Sequence, residues 1–369
     1  MSPPFFMSVL LQDRVKQARE AMAAAGMDAL ALTHLPNIFY LSGFSGSNAI
    51  LLVLGDVHHL FTDGRYKIQA REEAPQSRVH IVRTPLAEAC GEFLRSGLSQ
   101  KRLRIGFEAA SLNVAEAARL RKAAGRGIQW KPTTDLIERI REVKTEEELE
   151  VMRRSAKLAS EVISEAPDFV RPGVMELEVA AEIDYRLRRK GASGPSFDTI
   201  VASGPRSALP HAHPTEKRLQ KNELVVLDLG AILRHYCSDL TRTVFLGRAP
   251  ARIRGWYKAV QQAQEAAHDA LRAGVTAGSV DRAARRLLNH HGLGSYFVHG
   301  TGHGLGIEIH ERPRVGRSQK QEIRAGNVVT LEPGIYVEGV GGIRLEDEVA
   351  VHAGGTEVLT SAPRGLLEL

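Results

Sequence analysis

Val225-Val226-Leu227-Asp228-Leu229-Gly230 reads as a strand ended by glycine, and Tyr236-Cys237-Ser238-Asp239-Leu240-Thr241-Arg242-Thr243-Val244 reads as its antiparallel return. A turn near Leu233-Arg234 would set Asp228 opposite Asp239. Opposed side chains on one face of such a pair lie about 4.5–5.5 Å apart at Cβ. Two ionised carboxylates at that spacing repel unless a cation or a shared proton lies between them. Leu227, Leu229 and Leu240 flank the pair and imply partial burial, which raises the cost. A bridging metal ion resolves the conflict.

The device recurs further along. Val328-Val329-Thr330-Leu331-Glu332-Pro333-Gly334-Ile335-Tyr336 leads into Gly339-Val340-Gly341-Gly342 and returns as Ile343-Arg344-Leu345-Glu346-Asp347-Glu348-Val349. Folding about Gly339 sets Glu332 opposite Glu346, and the strand period puts Arg344, Glu346 and Glu348 on one face. Pro333 cannot donate to a ladder, so the strand is bulged or at an edge there. Ahead of this hairpin, Val298-His299-Gly300-Thr301-Gly302-His303-Gly304-Leu305-Gly306 frames His303 with glycines that let backbone pass close by. Two rival motifs fail. Leu305 and Ile307 stand where a dinucleotide fingerprint needs its final glycine, and His310-Glu311-Arg312-Pro313-Arg314 ends in arginine where a zincin helix needs histidine.

Taken singly, an aspartate ending a strand is usually a turn former and a glycine-flanked histidine usually a loop residue. Jointly, Asp228, Asp239, His303, Glu332 and Glu346 form a candidate ligand set for two metal ions. Four carboxylates and one imidazole, without sulfur, suit manganese, cobalt, iron or zinc. They are too few to close two structural shells, and open positions point to metal-assisted hydrolysis.

The chain has 369 residues, 43% hydrophobic and 25% charged, and comfortably holds two ordinary globular domains. Cys90 and Cys237 exclude a disulfide framework or a thiolate cluster and suit a reducing cytosol. The opening MSPPFFMSVLLQDR has neither a basic leader nor a cleavage site, and no apolar run reaches the ~20 residues of a membrane helix. The expectation is a cytoplasmic protein without membrane partners. A net charge of +6 is spread among 43 acidic residues, and its densest cluster, Arg186 to Lys190, suits a helix C-terminus better than nucleic acid.

Residues 1–132 alternate helical and strand patterns: a helix from about Gln12 to Gly26, strands at Ala29–Leu32, Ala49–Leu54, His58–Phe61, Arg78–Val82 and Leu103–Phe107. This predicts an α/β N-terminal domain. A linker follows over 133–145, and Thr145 with Glu148 forms a capping box opening a helix. Residues 146–369 show two helices, a strand-rich stretch, two more helices (about 251–273 and 279–291) and another strand-rich stretch. That order predicts a doubled α+β catalytic domain.

Leu227-Asp228-Leu229-Gly230, Ser238-Asp239-Leu240-Thr241-Arg242-Thr243, Gly300 to Gly306, His310-Glu311-Arg312-Pro313, Leu331-Glu332-Pro333-Gly334 and Arg344-Leu345-Glu346-Asp347 resemble the pita-bread metallopeptidases, in the Xaa-Pro aminopeptidase and Xaa-Pro dipeptidase (prolidase) branch. Ile38 to Phe44 and Thr62-Asp63-Gly64-Arg65-Tyr66 resemble the creatinase/prolidase N-terminal domain. The resemblance implies that Asp228 chelates one ion, His303 and Glu332 the other, and that Asp239 and Glu346 bridge both. It implies Glu332 as general base, with His211 and His310 stabilising the oxyanion and holding substrate. His299, Arg344 and Phe197 match further substrate-binding positions. Each has a plainer reading: His211 in solvent, His299 as packing, Arg344 as a neutralising cation, Phe197 as core. His213, where the family often has a smaller residue, is a departure that bears on the His211 loop.

The family implies two divalent ions, manganese first and cobalt or zinc as alternatives. The expected activity is that of an Xaa-Pro aminopeptidase acting on short peptides with proline second. The alternatives are a prolidase restricted to dipeptides and, more remotely, a catalytically silent pita-bread binding protein. A homodimer is also implied, with the neighbour's N-terminal domain narrowing the entrance.

Overall fold

The computed structural model describes residues 5–97 and 103–369; residues 1–4 and 98–102, read above as part of the N-terminal domain, lie outside the described residues. The chain divides into two compact units, Met1–Arg141 and Glu142–Leu369.

In the first unit, β1 (Ala29–Leu32), β2 (Ala49–Leu54), β3 (Val57–Asp63), β4 (Ser77–Val82), β5 (Leu103–Glu108) and β6 (Ile128–Thr133) form one sheet in the order β4-β3-β2-β1-β5-β6. Only β2 runs antiparallel to its neighbours. Helices α1 (Phe5–Ala24), α2 (Leu35–Ser42), α3 (Lys67–Glu73), α4 (Leu86–Gly97), α5 (Val114–Ala124) and α6 (Glu138–Arg141) intervene. β1 is buried along its whole length, which is why its sequence shows no polar alternation. The start of α2 carries no local cap. Instead, the backbone N–H groups of Thr33 and His34 donate to Glu108 at 2.6 and 2.7 Å.

The second unit opens with α7 (Glu146–Ser164), whose Thr145–Glu148 capping box is present as read. After α8 (Ala166–Phe169) and α9 (Glu176–Arg189) come β7 (Gly194–Pro195), β8 (Ile200–Ser203), β9 (Leu224–Leu229), β10 (Ala231–Leu233), β11 (Tyr236–Cys237) and β12 (Leu240–Phe245). Then α10 (Ala251–Ala270) and α11 (Ala277–His290) precede β13 (Gly302–Gly304), β14 (Glu311–Val315), β15 (Val328–Leu331), β16 (Gly334–Val337), β17 (Gly341–Arg344), β18 (Asp347–His352), β19 (Gly355–Val358) and β20 (Leu367–Glu368). The strands form sheets ordered β20-β12-β9-β8 and β14-β13-β15-β18-β19, with smaller sheets β11-β10-β7 and β16-β17. The doubled helix-helix-sheet order is that of the pita-bread fold.

Strand period decides which side chains reach the interior of this unit. Leu227, Leu229 and Leu240 pack in one core with Val162, Ile183 and Leu187 of α7 and α9. Ile343, Leu345, Val349 and Val351 pack in another with Val260, Ala263, Val280 and Leu288 of α10 and α11. The alternate residues, Asp228 on one hairpin and Arg344, Glu346 and Glu348 on the other, therefore face away from both helix layers.

The first hairpin differs from the expected register. Leu233 pairs with Tyr236, so the turn is Arg234-His235, both with positive φ (47° and 71°), as a type I′ turn requires. Asp228 consequently faces Thr241, and Asp239 lies on the diagonal of the same face rather than directly opposite. In the second hairpin Leu331 pairs with Asp347 and Gly334 with Arg344, which brackets Glu332 opposite Glu346 as expected.

His303 is framed by glycines because backbone crowds both sides. A Cβ at Gly302 would sit 1.9 Å from the Thr330 carbonyl oxygen, and one at Gly304 would sit 2.0 Å from that of Arg312. Gly302→Ala is expected to destabilise by about 1–3 kcal/mol in chemical denaturation, as overpacking does. Gly355→Ala, where nothing lies within 4 Å, should stay within about 0.5 kcal/mol of wild type.

Candidate metal centre

Three of the acidic side chains sit where a hairpin leaves one sheet and enters another. Asp239 lies between β11 and β12, Glu332 between β15 and β16, and Glu346 between β17 and β18. At such breaks the main chain seeks partners outside its ladder, and these partners stitch the centre together. Glu332 N–H donates to Thr301 O (2.7 Å), Glu346 N–H to Thr241 O (3.2 Å), and Asp239 N–H to the Glu348 carboxylate (2.8 Å).

The side chains converge. Ligand atoms of Asp239, His303 and Glu346 all lie within 4.8 Å of one another. His303 Nε2 is 3.5 Å from Asp239 Oδ2 and 3.6 Å from Glu332 Oε1. Its Nδ1 faces the Gly304 carbonyl at 3.0 Å. A carbonyl only accepts, so the proton of the neutral ring resides on Nδ1, and the Nε2 lone pair points at two carboxylates. Asp228 joins through Arg344, whose Nη2 bonds Asp228 Oδ2, while buried Asp228 Oδ1 has no hydrogen-bond partner.

Burial and mutual repulsion set the charge states. Asp239 is pushed well above the usual carboxylate range by burial and then by Glu346, Asp228 and Glu332. Burial, followed by the neighbouring carboxylates, does the same to Glu346. Glu332 rises to about 8, chiefly through burial, with Arg344 opposing the shift. Burial lowers His303 to about 4, so the ring is neutral. Acceptors facing acceptors, an orphaned Asp228 oxygen and hard O/N donors are what a divalent cation satisfies. The five residues fit such a group.

Around them, His299 Nδ1 donates to Gly300 O (2.7 Å), leaving Nε2 to accept from the Tyr336 hydroxyl (2.8 Å). Arg344, only 3% exposed, donates to Thr241 Oγ1, Pro210 O, Tyr336 and Asp228. Its bond to Pro210 anchors the loop bearing His211, which is exposed and whose charge helps to lower His299 and His310. His310 meets His303 edge to face at 4.4 Å between centroids. Arg206 Nη2 donates to the His213 carbonyl, fixing that loop's other end. Phe197 is half-buried beside Ser196, whose hydroxyl donates to Ser238 O (2.7 Å) next to Asp239. Sequence reasoning missed Tyr336, Thr241 and Glu348 as supports. The strand period that selected Glu346 also selected Glu348, while the contacts of Tyr336 and Thr241 arise only in the fold.

Comparison with known proteins gives the family. The profile of metallopeptidase family M24 matches residues 150–353, more than half of the chain, and that of the creatinase/prolidase N-terminal domain matches residues 14–143. The chain belongs to metallopeptidase family M24. The Xaa-Pro dipeptidase of Pyrococcus horikoshii is 34% identical over 97% of this chain and 99% of its own length. The Xaa-Pro dipeptidase structure from Bacillus anthracis superposes with a TM-score of 0.92 at 34% identity, covering 97% of this chain and all of that one. The X-Pro aminopeptidase structure from Thermotoga maritima gives 0.89 at 32% identity, covering 96% and 99%.

As an M24 peptidase, the protein is a metallopeptidase, and the family implies divalent metal ions. The raised carboxyl groups make the metal-free enzyme pH-sensitive. Below pH ~6.5 its buried neutral histidines oppose the effect, since they charge on unfolding. From pH ~6.5 to about 8 histidines are neutral in both states, whereas Glu332 is ionised when unfolded and protonated when folded. Thermal stability of the metal-free enzyme should therefore fall across that window. Saturating Mn²⁺ should abolish the fall, because binding requires the ionised carboxylates. A metal-free melting temperature that is flat or rising between these pH values would contradict the assignment.

Proposed function

We propose that the protein is an Xaa-Pro dipeptidase whose centre holds two divalent ions, manganese foremost. The observation that carries this reading is the joint one of a convergent carboxylate–histidine centre and near-full-length similarity to proteins named Xaa-Pro dipeptidase. It departs from the aminopeptidase expected first from sequence, and the balance of the relatives' names favours it. Asp228, Asp239, His303, Glu332 and Glu346 would hold the ions, which when bound supply Lewis acidity and an acidified water.

The chain's own residues supply the rest. Glu332 takes a proton from the attacking water and delivers it to the proline nitrogen as the C–N bond breaks, a role open to a carboxylate within reach of both atoms. His211 and His310 donate hydrogen bonds to the carbonyl oxygen as negative charge gathers there. Proline lacks the amide N–H on which ordinary peptidases rely, so orientation must come from its carboxylate. Arg344 is buried and already donates to four partners, so a more exposed cation suits the carboxylate better. Arg314 pairs with His303 across β13 and β14, so both side chains share a face, and its side chain makes no hydrogen bond or ion pair among the described residues. Its charge already weighs on His303 and His310. We assign it the carboxylate.

Among the described residues no helix is long and apolar enough to cross a membrane. A cytoplasmic homodimer remains our proposal, supported by the family resemblance.

With Mn²⁺ present, an Xaa-Pro dipeptide should be hydrolysed and an Xaa-Pro-Xaa tripeptide should not; cleavage of both would restore the aminopeptidase reading. Arg314→Met should raise KM for the dipeptide by about ten- to a hundredfold with kcat little changed, the size of a charge-assisted hydrogen bond. An unchanged KM would remove Arg314 from the substrate site.

A further inference from the structure

Residues 297–301, which carry His299 and run into His303, belong to no strand. Their main chain is held by two side chains one helical turn apart on α11. Arg285 Nε and Nη2 donate to the two oxygens of Asp281 at 3.0 and 2.9 Å. The same guanidinium donates to Phe297 O (2.9 Å) and His299 O (2.7 Å). Asp281 Oδ1 accepts from Thr301 N–H (3.1 Å) and from the Thr301 hydroxyl (2.9 Å). One ion pair therefore grips positions 297, 299 and 301, every second residue of an extended segment, in place of a neighbouring strand. Arg285 also lies 4.1 Å from the Phe297 ring centroid.

The grip reaches the metal centre through one residue. Thr301 O accepts from the backbone N–H of Glu332, and two residues beyond Thr301 stands His303, whose N–H donates to Thr330 Oγ1 (3.1 Å). Asp281 is fully buried and Arg285 nearly so. A buried ion pair is a poor stabiliser, and apolar side chains of similar volume often do as well or better. Apolar side chains cannot, however, make the four hydrogen bonds that fix the path of 297–301.

We propose that Asp281 and Arg285 are positioning residues of the peptidase, setting the main-chain path that brings His303 and Glu332 together to receive metal. The proposal rests on the reading of the centre given above. It is distinct from a stabilising role because the helix pair touches no ligand side chain; it acts through Thr301.

The test uses two variants of the full chain. Asp281→Asn keeps the shape and removes the charge; the double variant Asp281→Leu/Arg285→Met removes the polar grip and leaves a packed interior. With folding verified by circular dichroism, calorimetric titration should show the Mn²⁺ dissociation constant raised about ten- to a hundredfold in both, as for supports of metal ligands elsewhere. On an Xaa-Pro dipeptide kcat should drop by a similar factor with KM little altered. If Asp281→Asn does not fold, Thr301→Val, which deletes a single hydroxyl donor, should weaken Mn²⁺ binding in the same direction. A folded double variant that binds Mn²⁺ and turns over like wild type would overturn the proposal, as would wild-type affinity in Thr301→Val. Metal binding is read without substrate. Wild-type protein that binds Mn²⁺ yet cleaves no dipeptide would therefore sink the dipeptidase reading while the binding arm still decides this one.

Discussion

A neutral imidazole whose lone pair points at two carboxylate oxygens is the constraint around which the second unit is organised. His303 Nε2 has no proton to offer Asp239 or Glu332, because its Nδ1 proton is engaged by Gly304. Two further carboxylates, Glu346 and Asp228, add to the negative field, and the buried guanidinium of Arg344 forms its ion pair with Asp228. Without a cation the groups relieve the repulsion by holding protons, as the raised carboxyls of Asp239, Glu332 and Glu346 show. With one, they would become its ligands. The same residues would thus couple folding, proton release and metal binding.

The architecture serves that arrangement by interrupting its own sheets. A residue inside a ladder points up or down and nothing else, whereas Asp239, Glu332 and Glu346 stand at breaks where the chain changes sheet and the carboxylate can be aimed. Each break leaves main-chain groups needing partners, and Thr301, Thr241 and Glu348 provide them from neighbouring elements. The hairpins are thereby locked to one another at the points where their side chains must meet. Helices on the outer faces absorb the alternate apolar residues, so the polar face is left to the centre.

Much of this is legible in the sequence. Period-two alternation separated Leu227 and Leu229 from Asp228, and the glycines about His303 announced backbone crowding that the fold bears out at Gly302 and Gly304. The position of Gly339 gave the second hairpin its register. The first was misplaced because two non-glycine residues, Arg234 and His235, adopt positive φ, a choice no local composition signals. Helix α2 escaped notice for a related reason, since its start is held by Glu108 from a distant strand. Supports such as Tyr336, Asp281 and Arg285 carry no motif of their own. Their roles come from tertiary hydrogen bonds, which a pattern of residue types does not encode.

Arg314 and Arg344 illustrate how geometry divides like residues. Arg344 is buried and donates to four partners, while Arg314 is exposed and its side chain has no hydrogen-bond partner among the described residues on the face it shares with His303. If the acidic side chains and His303 clasp a pair of ions, diffraction from manganese-soaked crystals at the manganese absorption edge will reveal them. Two anomalous peaks are expected about 3.5–4 Å apart, enclosed by Asp228, Asp239, His303, Glu332 and Glu346. Crystals that take up no manganese, or that bind it away from these residues, would contradict this arrangement.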